Sequence, residues 1–179
     1  MTVAPTGTTR AAVRLWRRDG DCWQRVAGPW AARLGRSGVS AHHREGDGTT
    51  PVGTFPLGPV VYGTAADPGL RLAYHRLACG DWWNEDPRSD TYNTFQHVRC
   101  GARPRFGRGS EALWRQTNAY RWFAVVEYNA DPAVPGRGSA IFLHVDTGRP
   151  TNGCVSLPAA RLVALLRWLR PGAQISIAG

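Results

Sequence analysis

His144 and Cys154 are the two residues whose types and spacing are best suited to chemistry. His144 ends an apolar run at residues 141–144, and Cys154 lies ten residues beyond His144, directly after Gly153. A thiolate is the nucleophilic form of cysteine, and a nearby imidazole can take the thiol proton. The backbone N–H groups of Gly153 and Cys154 could stabilise an oxyanion, and a helix beginning just after Cys154 would lower the pKa of the thiol. The segment therefore predicts nucleophilic acyl transfer.

The same pair also fits a structural interpretation, with His144 as a hydrogen-bonded strand-end histidine and Cys154 as a buried thiol. The other cysteines, Cys22, Cys79 and Cys100, form no CxxC motif and have no zinc-ligand spacing, so no metal site is predicted. Cys79 and Cys100 could form a disulfide if their Cα atoms lie within about 7 Å. The remaining histidines are expected at the surface or in packing roles: His42, His43, His75 and His97.

Two apolar strands and one amphipathic helix are predicted around the pair. The strands cover residues 122–128 and 139–145, on either side of a loop rich in Asn, Pro and Gly. The helix covers about residues 158–170, with Ser156 as its N-cap, and its leucines fall on one face: Leu162, Leu165, Leu166 and Leu169. Pro171 and Gly172 end the helix, and a last strand follows at residues 173–177.

The N-terminal part is predicted to contain a loose arm, a hairpin and a shaped loop. Residues 1–10 have no periodicity and are expected to be the arm. Alternating runs at residues 12–17 and 22–26 flank an Asp-Gly turn and predict a β-hairpin, which a third strand at residues 30–34 would extend. Residues 44–56 indicate a loop rich in Gly and Pro that opens onto a short strand.

Two further segments have no hydrophobic period. Residues 80–94 are polar and aromatic, which predicts a long loop of the kind that often lines a site, although the paired tryptophans could equally pack at the edge of a core. Residues 99–111 are expected to be exposed and carry four arginines: Arg99, Arg103, Arg105 and Arg108. Together the elements predict a mostly β, α+β domain over residues 11–179.

Composition excludes several classes of protein. With 179 residues, 42% of them hydrophobic, the chain can bury a core, and no run of 18 apolar residues predicts a transmembrane helix. The net charge is +9 and all 22 basic residues are arginine, which favours acidic partners such as nucleic acid, an anionic membrane or cell-wall material. The first ten residues lack a signal-peptide pattern. The expected location is extracytoplasmic if a leader was trimmed, and cytoplasmic if Met1 is the native start.

Three segments resemble, in order, the YkuD-type L,D-transpeptidases. They are residues 44–55 (REGDGTTPVGTF), 81–93 (DWWNEDPRSDTYN) and 141–157 (IFLHVDTGRPTNGCVSL). The last resembles the family signature, an apolar strand ending in histidine and then a Gly-Cys pair. The resemblance extends over about residues 12–178. It implies a mostly β catalytic domain, a mixed β-sandwich or barrel with one C-terminal helix.

The resemblance also implies roles for individual residues. Cys154 would take the acyl group of a peptidoglycan stem peptide as a thioester, expel D-Ala, and pass the acyl group to an amine or to water. His144 would be the general base, the carbonyl of Val145 would orient its ring, and the backbone of Gly153 and Cys154 would hold the oxyanion. No cofactor is implied. The residues assigned to substrate binding are Arg149, Thr151, Trp83, Tyr92 and Asn93.

Two positions depart from the family pattern. Asn152 stands where many members have a second histidine, and Ser156 stands where many have arginine. Asn152 can still donate a hydrogen bond to an oxyanion and is kept as a candidate catalytic residue. Arg149, inside the spacer between His144 and Cys154, could replace the missing arginine as the contact for a substrate carboxylate.

Two other functions fit parts of the sequence. An intracellular relative could use the same residues for acyl transfer or hydrolysis in the assembly of peptide natural products. An Arg-rich nucleic-acid-binding protein would fit the charge of +9, but no RNP-like, helix-turn-helix or zinc-finger pattern is present, and nucleic acid is not the expected partner.

Overall fold

The structure is a computed structural model that describes residues 1–107 and 109–179. Its strands are β1 (Thr2–Gly7), β2 (Arg10–Asp19), β3 (Cys22–Arg33), β4 (Val39–Ser40), β5 (Thr50–Pro51), β6 (Gly53–Gly63), β7 (Ala73–Arg76), β8 (Asp81–Asn84), β9 (Thr94–His97), β10 (Glu111–Ala112), β11 (Phe123–Val126), β12 (Phe142–Val145), β13 (Val155–Leu157) and β14 (Gln174–Ile177). The helical elements are α1 (Ala159–Trp168) and two 3-10 turns (Leu113–Arg115 and Ala119–Arg121).

The largest sheet closes into a barrel. Its order is β11-β12-β13-β3-β2-β1-β14-β6-β7, and β6 also pairs with β11. β6 can reach both sides because it is 11 residues long, with its first part against β14 and its second part against β11 and β7. Two smaller sheets have the orders β10-β8-β9 and β4-β5. The predicted fold class, a mostly β barrel or sandwich with a C-terminal helix, is confirmed.

The predicted hairpin is formed by β2 and β3. Gly20 and Asp21 make the two-residue turn, and Gly20 has a φ of +58°, a backbone conformation that favours glycine. Pairing runs from Asp19 opposite Cys22 to the far end of both strands. The prediction of a separate strand at residues 30–34 is therefore wrong, because this stretch continues β3.

Residues 1–10 are not the loose arm that their composition predicts. Within them, β1 pairs antiparallel with β2 and parallel with β14. Val3 is 1% exposed and lies in the main core, and the indole Nε1 of Trp16 donates to Thr2 Oγ1 at 2.9 Å. Ladder pairing and one buried valine hold the strand, and neither leaves a periodic pattern in the sequence.

Residues 80–94 are not one long loop, because β8 and the start of β9 lie within them. β8 pairs with β9 on one side and β10 on the other. Trp83 is buried, and so are the polar side chains of Asp81 and Asn84. Asp81 accepts hydrogen bonds from His75 Nε2 (2.8 Å) and His97 Nδ1 (2.7 Å). Since polar side chains are buried with partners of their own, the strand shows no alternation of polar and apolar residues.

A disulfide links the chain on both sides of this hairpin. Cys79 and Cys100 are bonded, with their Cα atoms 5.1 Å apart, so the pairing that the sequence left open is formed. Next to Cys100 and after it, the side chains of Arg99, Arg103 and Arg105 are exposed, as predicted. Arg108 lies outside the described residues.

The C-terminal helix is confirmed but shorter than predicted. α1 begins after Pro158, which makes no side-chain capping bond. Ser156 is not its N-cap, because β13 includes this residue and extends to Leu157. The predicted apolar face is correct, and its four leucines are buried: Leu162, Leu165, Leu166 and Leu169. No helix in the described part of the chain is long and apolar enough to cross a membrane.

Two clusters of buried side chains fill the molecule. The first, called the aliphatic core, joins α1 to the barrel and includes Val13, Leu15, Val61, Leu143, Val145, Val155, Leu157, Leu162, Leu165, Leu166 and Ile175. The second, called the aromatic core, lies between the barrel and the β8–β10 sheet. Its buried members are Leu77, Trp83, Leu113, Tyr120, Phe123, Val125, Ala140, Phe142 and Cys154.

Candidate active site

The candidate active site lies on β12 and at the start of β13, which pair in parallel. The register sets His144 opposite Ser156, so Cys154, two residues earlier, lies opposite Phe142. Because side chains alternate along a strand, all four point to the face that carries the aromatic core. The fold therefore places His144 and Cys154 on the same face of the strand pair, and their catalytic roles stay a prediction.

His144 is held in one tautomer. Its Nδ1 lies 2.8 Å from the carbonyl oxygen of Val145, and because a carbonyl only accepts, Nδ1 carries the hydrogen. Nε2 is then unprotonated in the neutral ring and can accept a proton. The ring is 7% exposed, and this burial lowers its pKa, which keeps it neutral at pH 7. The ring of Tyr120 meets it edge to face, with centroids 5.8 Å apart.

Cys154 is a buried free thiol held by the backbone before and within β12. Its Sγ–H donates to the carbonyl of Ala140, and the N–H of Phe142 donates to Sγ, each at 3.3 Å. Burial raises the pKa of the thiol, and the Phe142 hydrogen bond opposes this shift. The carboxyl groups of Glu111 and Glu85, when ionised, raise the pKa further. The expected lowering by a helix terminus is absent because β13 separates Cys154 from α1, and the dipole effect fades within one turn.

The turn before Cys154 is braced by its own side chains. Thr151 Oγ1 donates to the carbonyl of Cys154 (2.6 Å) and accepts the N–H of Gly153 (3.2 Å). Gly153 has a φ of +149°, and a Cβ there would lie 2.9 Å from the carbonyl oxygen of Thr49. Glycine is therefore required at this position. Asn152 is exposed, and its Oδ1 accepts a hydrogen bond from the guanidinium of Arg36.

The loop at residues 43–50 lies against that turn. Asp47 Oδ1 accepts from the N–H and the hydroxyl of Thr49, both at 2.8 Å, and lies 3.0 Å from His43 Nδ1. Thr50 is fully buried; its hydroxyl accepts the N–H of Gly35 at 2.8 Å. His43 is 6% exposed and packs against Tyr128, as the predicted packing role requires. The sequence analysis identified this loop as a segment that resembles the family, but it did not predict that the loop packs against the Gly-Cys turn.

A family model covers nearly all of these elements. Residues 8–177 match the model of the L,D-transpeptidase catalytic domain, YkuD. The chain belongs to this family. No curated protein and no solved structure gives a significant match. The resemblance drawn from the three sequence segments is thereby confirmed, and with it the general class of enzyme, since the members of the family are L,D-transpeptidases.

Three of the residues assigned to substrate binding are buried beside the Gly-Cys turn of this L,D-transpeptidase domain. Trp83 packs edge to face on Phe142, with centroids 5.0 Å apart, and its Nε1 donates to Asn93 Oδ1 at 2.9 Å. The hydroxyl of Tyr92 donates to Glu45. Their positions place them near the nucleophile, within the protein rather than on its surface. Their assignment to substrate binding stays a prediction.

Arg149 and Arg36 are the exposed arginines that flank the nucleophile turn. Arg149 lies in the open loop between β12 and β13. Arg36 was not singled out in the sequence, yet its backbone N–H donates to the carbonyl of Thr151 (2.8 Å) and its guanidinium contacts Asn152. The loop after β3 carries it to the site, which no local pattern could indicate.

Two carboxyl groups on the aromatic side were also missed. Glu111 accepts a hydrogen bond from the hydroxyl of Tyr120, the residue whose ring meets His144. Glu85 has one carboxyl oxygen that is buried without a hydrogen-bond partner among the described residues. Burial and the nearby charges of Glu111 and Glu45 raise the pKa of Glu85 to about 9. Glu85 is therefore protonated at neutral pH and can act as a hydrogen-bond donor.

Proposed function

We propose that the protein is a cysteine-nucleophile acyltransferase that forms a thioester with a peptide stem and passes the acyl group to an amine or to water. The observation that carries the proposal is the shared face of β12 and β13, which sets Cys154 diagonally across from His144. The His144 ring, fixed through Nδ1, presents an unprotonated Nε2. Membership of the L,D-transpeptidase family supports the same chemistry.

The first half of the reaction makes the thioester. In the resting form the thiol hydrogen is donated to Ala140, so the S–H group first turns away from that carbonyl. The proton passes to Nε2 of His144, and the thiolate attacks the carbonyl carbon of the donor peptide. The C–N bond of the donor then breaks, and the leaving amine takes the proton from His144. Because burial lowers the pKa of His144, the imidazolium gives up this proton readily.

The second half returns the enzyme to its starting state. An acceptor amine or water attacks the thioester and gives its proton to His144. The C–S bond breaks, and the thiolate recovers the proton from the imidazolium. Throughout, the carbonyl of Val145 accepts the Nδ1 hydrogen and stabilises the charged ring. The N–H groups of Gly153 and Cys154 remain the predicted oxyanion donors, and the Gly153 N–H must leave Thr151 Oγ1 to act in this way.

Peptidoglycan stem peptides are the substrate class we propose. They carry both the peptide carbonyl and the amine that this reaction needs, and their carboxylates suit a protein of net charge +9 whose basic residues are all arginine. Arg149 and Arg36 are the exposed guanidinium groups beside the turn that could bind such a carboxylate.

Acylation measured by intact mass tests the proposal. The purified protein is incubated with defined tetrapeptide stems or a carbapenem, and a covalent adduct is expected on the wild type. Cys154→Ala should show no adduct, because the nucleophile is gone. Cys22→Ser is the matched control, since Cys22 is the other free cysteine among the described residues and is exposed. An undiminished adduct on Cys154→Ala, or its loss on Cys22→Ser, would overturn the assignment.

A further inference from the structure

We infer that Asn93 is a positioning residue for Cys154, acting through the backbone of Ala140. The inference rests on the proposed function for its catalytic consequence, although the geometry is independent of it. It assigns Asn93 a role inside the protein in place of contact with substrate. The residue would set where the sulfur sits and would not touch the peptide.

Ala140 has an unusual backbone at the point where the thiol is held. Its φ is +53°, in the left-handed region that residues with a Cβ rarely adopt. It is 8% exposed, and its carbonyl oxygen accepts the Sγ–H of Cys154. Two residues later, the N–H of Phe142 donates to the same sulfur. A change in the φ of Ala140 would therefore move both backbone groups that contact Sγ.

Asn93 holds the N–H of Ala140, and its other side-chain hydrogen bonds hold Asn93 itself in place. Its Oδ1 accepts the N–H of Ala140 (3.0 Å) and the indole N–H of Trp83 (2.9 Å). Its Nδ2 donates to the carbonyls of Tyr128 (3.0 Å) and Asn129 (2.8 Å). An amide can make two bonds at each end, so no position remains for a substrate. The side chain thus joins β8, the loop after β11 and the residue that holds the thiol.

The residue before Ala140 is held as well, from a different direction. The hydroxyl of Ser139 donates to Glu45 at 2.7 Å, and the hydroxyl of Tyr92 donates to the same carboxylate. With Ser139 and the N–H of Ala140 both fixed, the chain has little freedom to relax out of the left-handed region. Strained backbone persists only where its surroundings hold it in this way, and such positions occur often at functional sites.

A second asparagine provides a matched control. Asn129 also has a positive φ, +50° against +59° for Asn93, and its Nδ2 also donates to two backbone carbonyls, those of Val134 and Gly138. None of its described side-chain hydrogen bonds reaches Ala140. Replacing either asparagine with glycine removes the side chain and leaves the left-handed backbone allowed. Asn93→Gly removes the partner of Ala140 together with that of Trp83, whereas Asn129→Gly leaves both of these contacts in place.

The experiment compares Asn93→Gly, Asn129→Gly, Ala140→Gly and the double variant Asn93→Gly/Ala140→Gly. All are made in a Cys22→Ser background, so that Cys154 is the reactive thiol. Two quantities are measured by intact mass: the pH dependence of alkylation by iodoacetamide, and the saturation kinetics of acylation by a tetrapeptide stem. Thermal unfolding of each variant sets a temperature at which all are folded.

Asn93→Gly is expected to slow maximal acylation by about 10- to 100-fold, with little change in the half-saturating concentration, because a displaced sulfur weakens chemistry more than binding. Alkylation should become slower at each pH, because a thiolate that loses the Phe142 N–H is less stabilised and forms less readily. Ala140→Gly should restore most of both quantities in the double variant, since glycine adopts the left-handed backbone without help. Asn129→Gly should stay near the parent, and Ala140→Gly alone is the reference for the double variant.

A double variant no better than Asn93→Gly would overturn the inference, because a general structural role of Asn93 would not be repaired at Ala140. So would an Asn93→Gly variant with parent kinetics. If Asn93→Gly alone does not fold, the double variant decides: it must fold and react like Ala140→Gly. If the parent is acylated by no stem peptide, the proposed function fails, whereas the alkylation profiles still test the positioning of the thiol.

Discussion

The two faces of the β12–β13 pair carry different kinds of side chain. One face contributes Leu143, Val145, Val155 and Leu157 to the aliphatic core. The other carries Phe142, His144, Cys154 and Ser156 against aromatic rings and carboxyl groups. Both faces are buried to a similar degree. They differ in that one contains no side-chain polar atom, whereas the other contains a thiol, an imidazole and a hydroxyl.

This difference shows how one pair of strands can carry both stability and chemistry. Burial of apolar surface is favourable without any particular partner, so the aliphatic face needs only volume and shape. A buried polar group needs a specific partner, and where it lacks one the protein is less stable. We therefore expect substitutions on the aliphatic face to lower stability, and substitutions on the polar face to change reactivity or to raise stability.

The largest effect is expected from His144→Gln. Glutamine keeps a polar group of similar size but cannot take a proton from the thiol, so acylation should fall by about 10²–10⁴-fold. The same substitution should change the free energy of unfolding only slightly, in contrast to its effect on acylation. Single-turnover acylation by a stem peptide, followed by mass spectrometry, measures the first quantity, and urea unfolding measures the second.

Leu143→Ala is the matched substitution on the other face, one residue away on the same strand. Leu143 is fully buried, and its truncation should cost about 2–5 kcal/mol of stability. The folded fraction should acylate at close to the wild-type rate. Acylation that falls equally in both variants would show that the faces are not functionally distinct.

The aliphatic face could be predicted from sequence, and most of its polar counterpart could not. The apolar run before His144 and the leucine spacing in α1 are local patterns, and each was found where it was expected. Tyr120, Glu85 and Glu111 have no such pattern. They meet only because β8 and β10 pair and a 3-10 turn brings Tyr120 beneath β12. Partners that come from distant segments leave no period to detect.

The candidate site shows the same division on a smaller scale. His144 and Cys154 could be selected by type and spacing, because the chemistry depends on those two side chains. The state of the thiol could not be predicted. It depends on Ala140, whose left-handed backbone is imposed by side chains from other elements, and alanine is not a residue that signals such a conformation. The resulting burial reversed the expected direction of the pKa shift of Cys154.

The next effect in size concerns Glu85 and depends on pH. Folded Glu85 keeps its proton up to about pH 9, whereas the unfolded side chain loses it near 4.5. The folded state therefore binds more protons between these values, and stability falls as the pH rises through this range. Glu85→Gln removes this pH-dependent loss and should raise the free energy of unfolding at pH 8 by about 2–5 kcal/mol, with a gain of about 1 kcal/mol or less at pH 5. Urea unfolding at both pH values measures this.

Asp90→Asn serves as the control for Glu85→Gln, because it also removes one carboxylate but at an exposed position in the turn after β8. Its effect on stability should be within about 0.5 kcal/mol at either pH. If Glu85→Gln is no more stable than the wild type at pH 8, then burial of the Glu85 carboxyl group does not lower the stability of the protein, and this prediction is wrong.

The smallest effect is expected at Ser156, which lies opposite His144 on the polar face. Its side chain is fully buried, and its hydroxyl has no hydrogen-bond partner among the described residues. Ser156→Ala should therefore raise the free energy of unfolding by about 1 kcal/mol. Acylation should fall by a factor of about 2–5, because Ser156 is paired with His144 across the two strands and its hydroxyl is a polar group on the face where the ring becomes charged. Urea unfolding and acylation kinetics measure the two changes.

Ser176→Ala is the matched control, since that hydroxyl is bonded to Thr54 Oγ1 at 3.0 Å and its removal should bring no gain in stability. The two responses of Ser156→Ala are informative together. Higher stability with lower activity means that the face keeps an unpaired hydroxyl because the reaction uses it. Higher stability with unchanged activity would limit the functional part of the face to His144 and Cys154. Lower stability would mean that the hydroxyl does have a partner, and the contrast between the faces would then depend on the carboxyl groups.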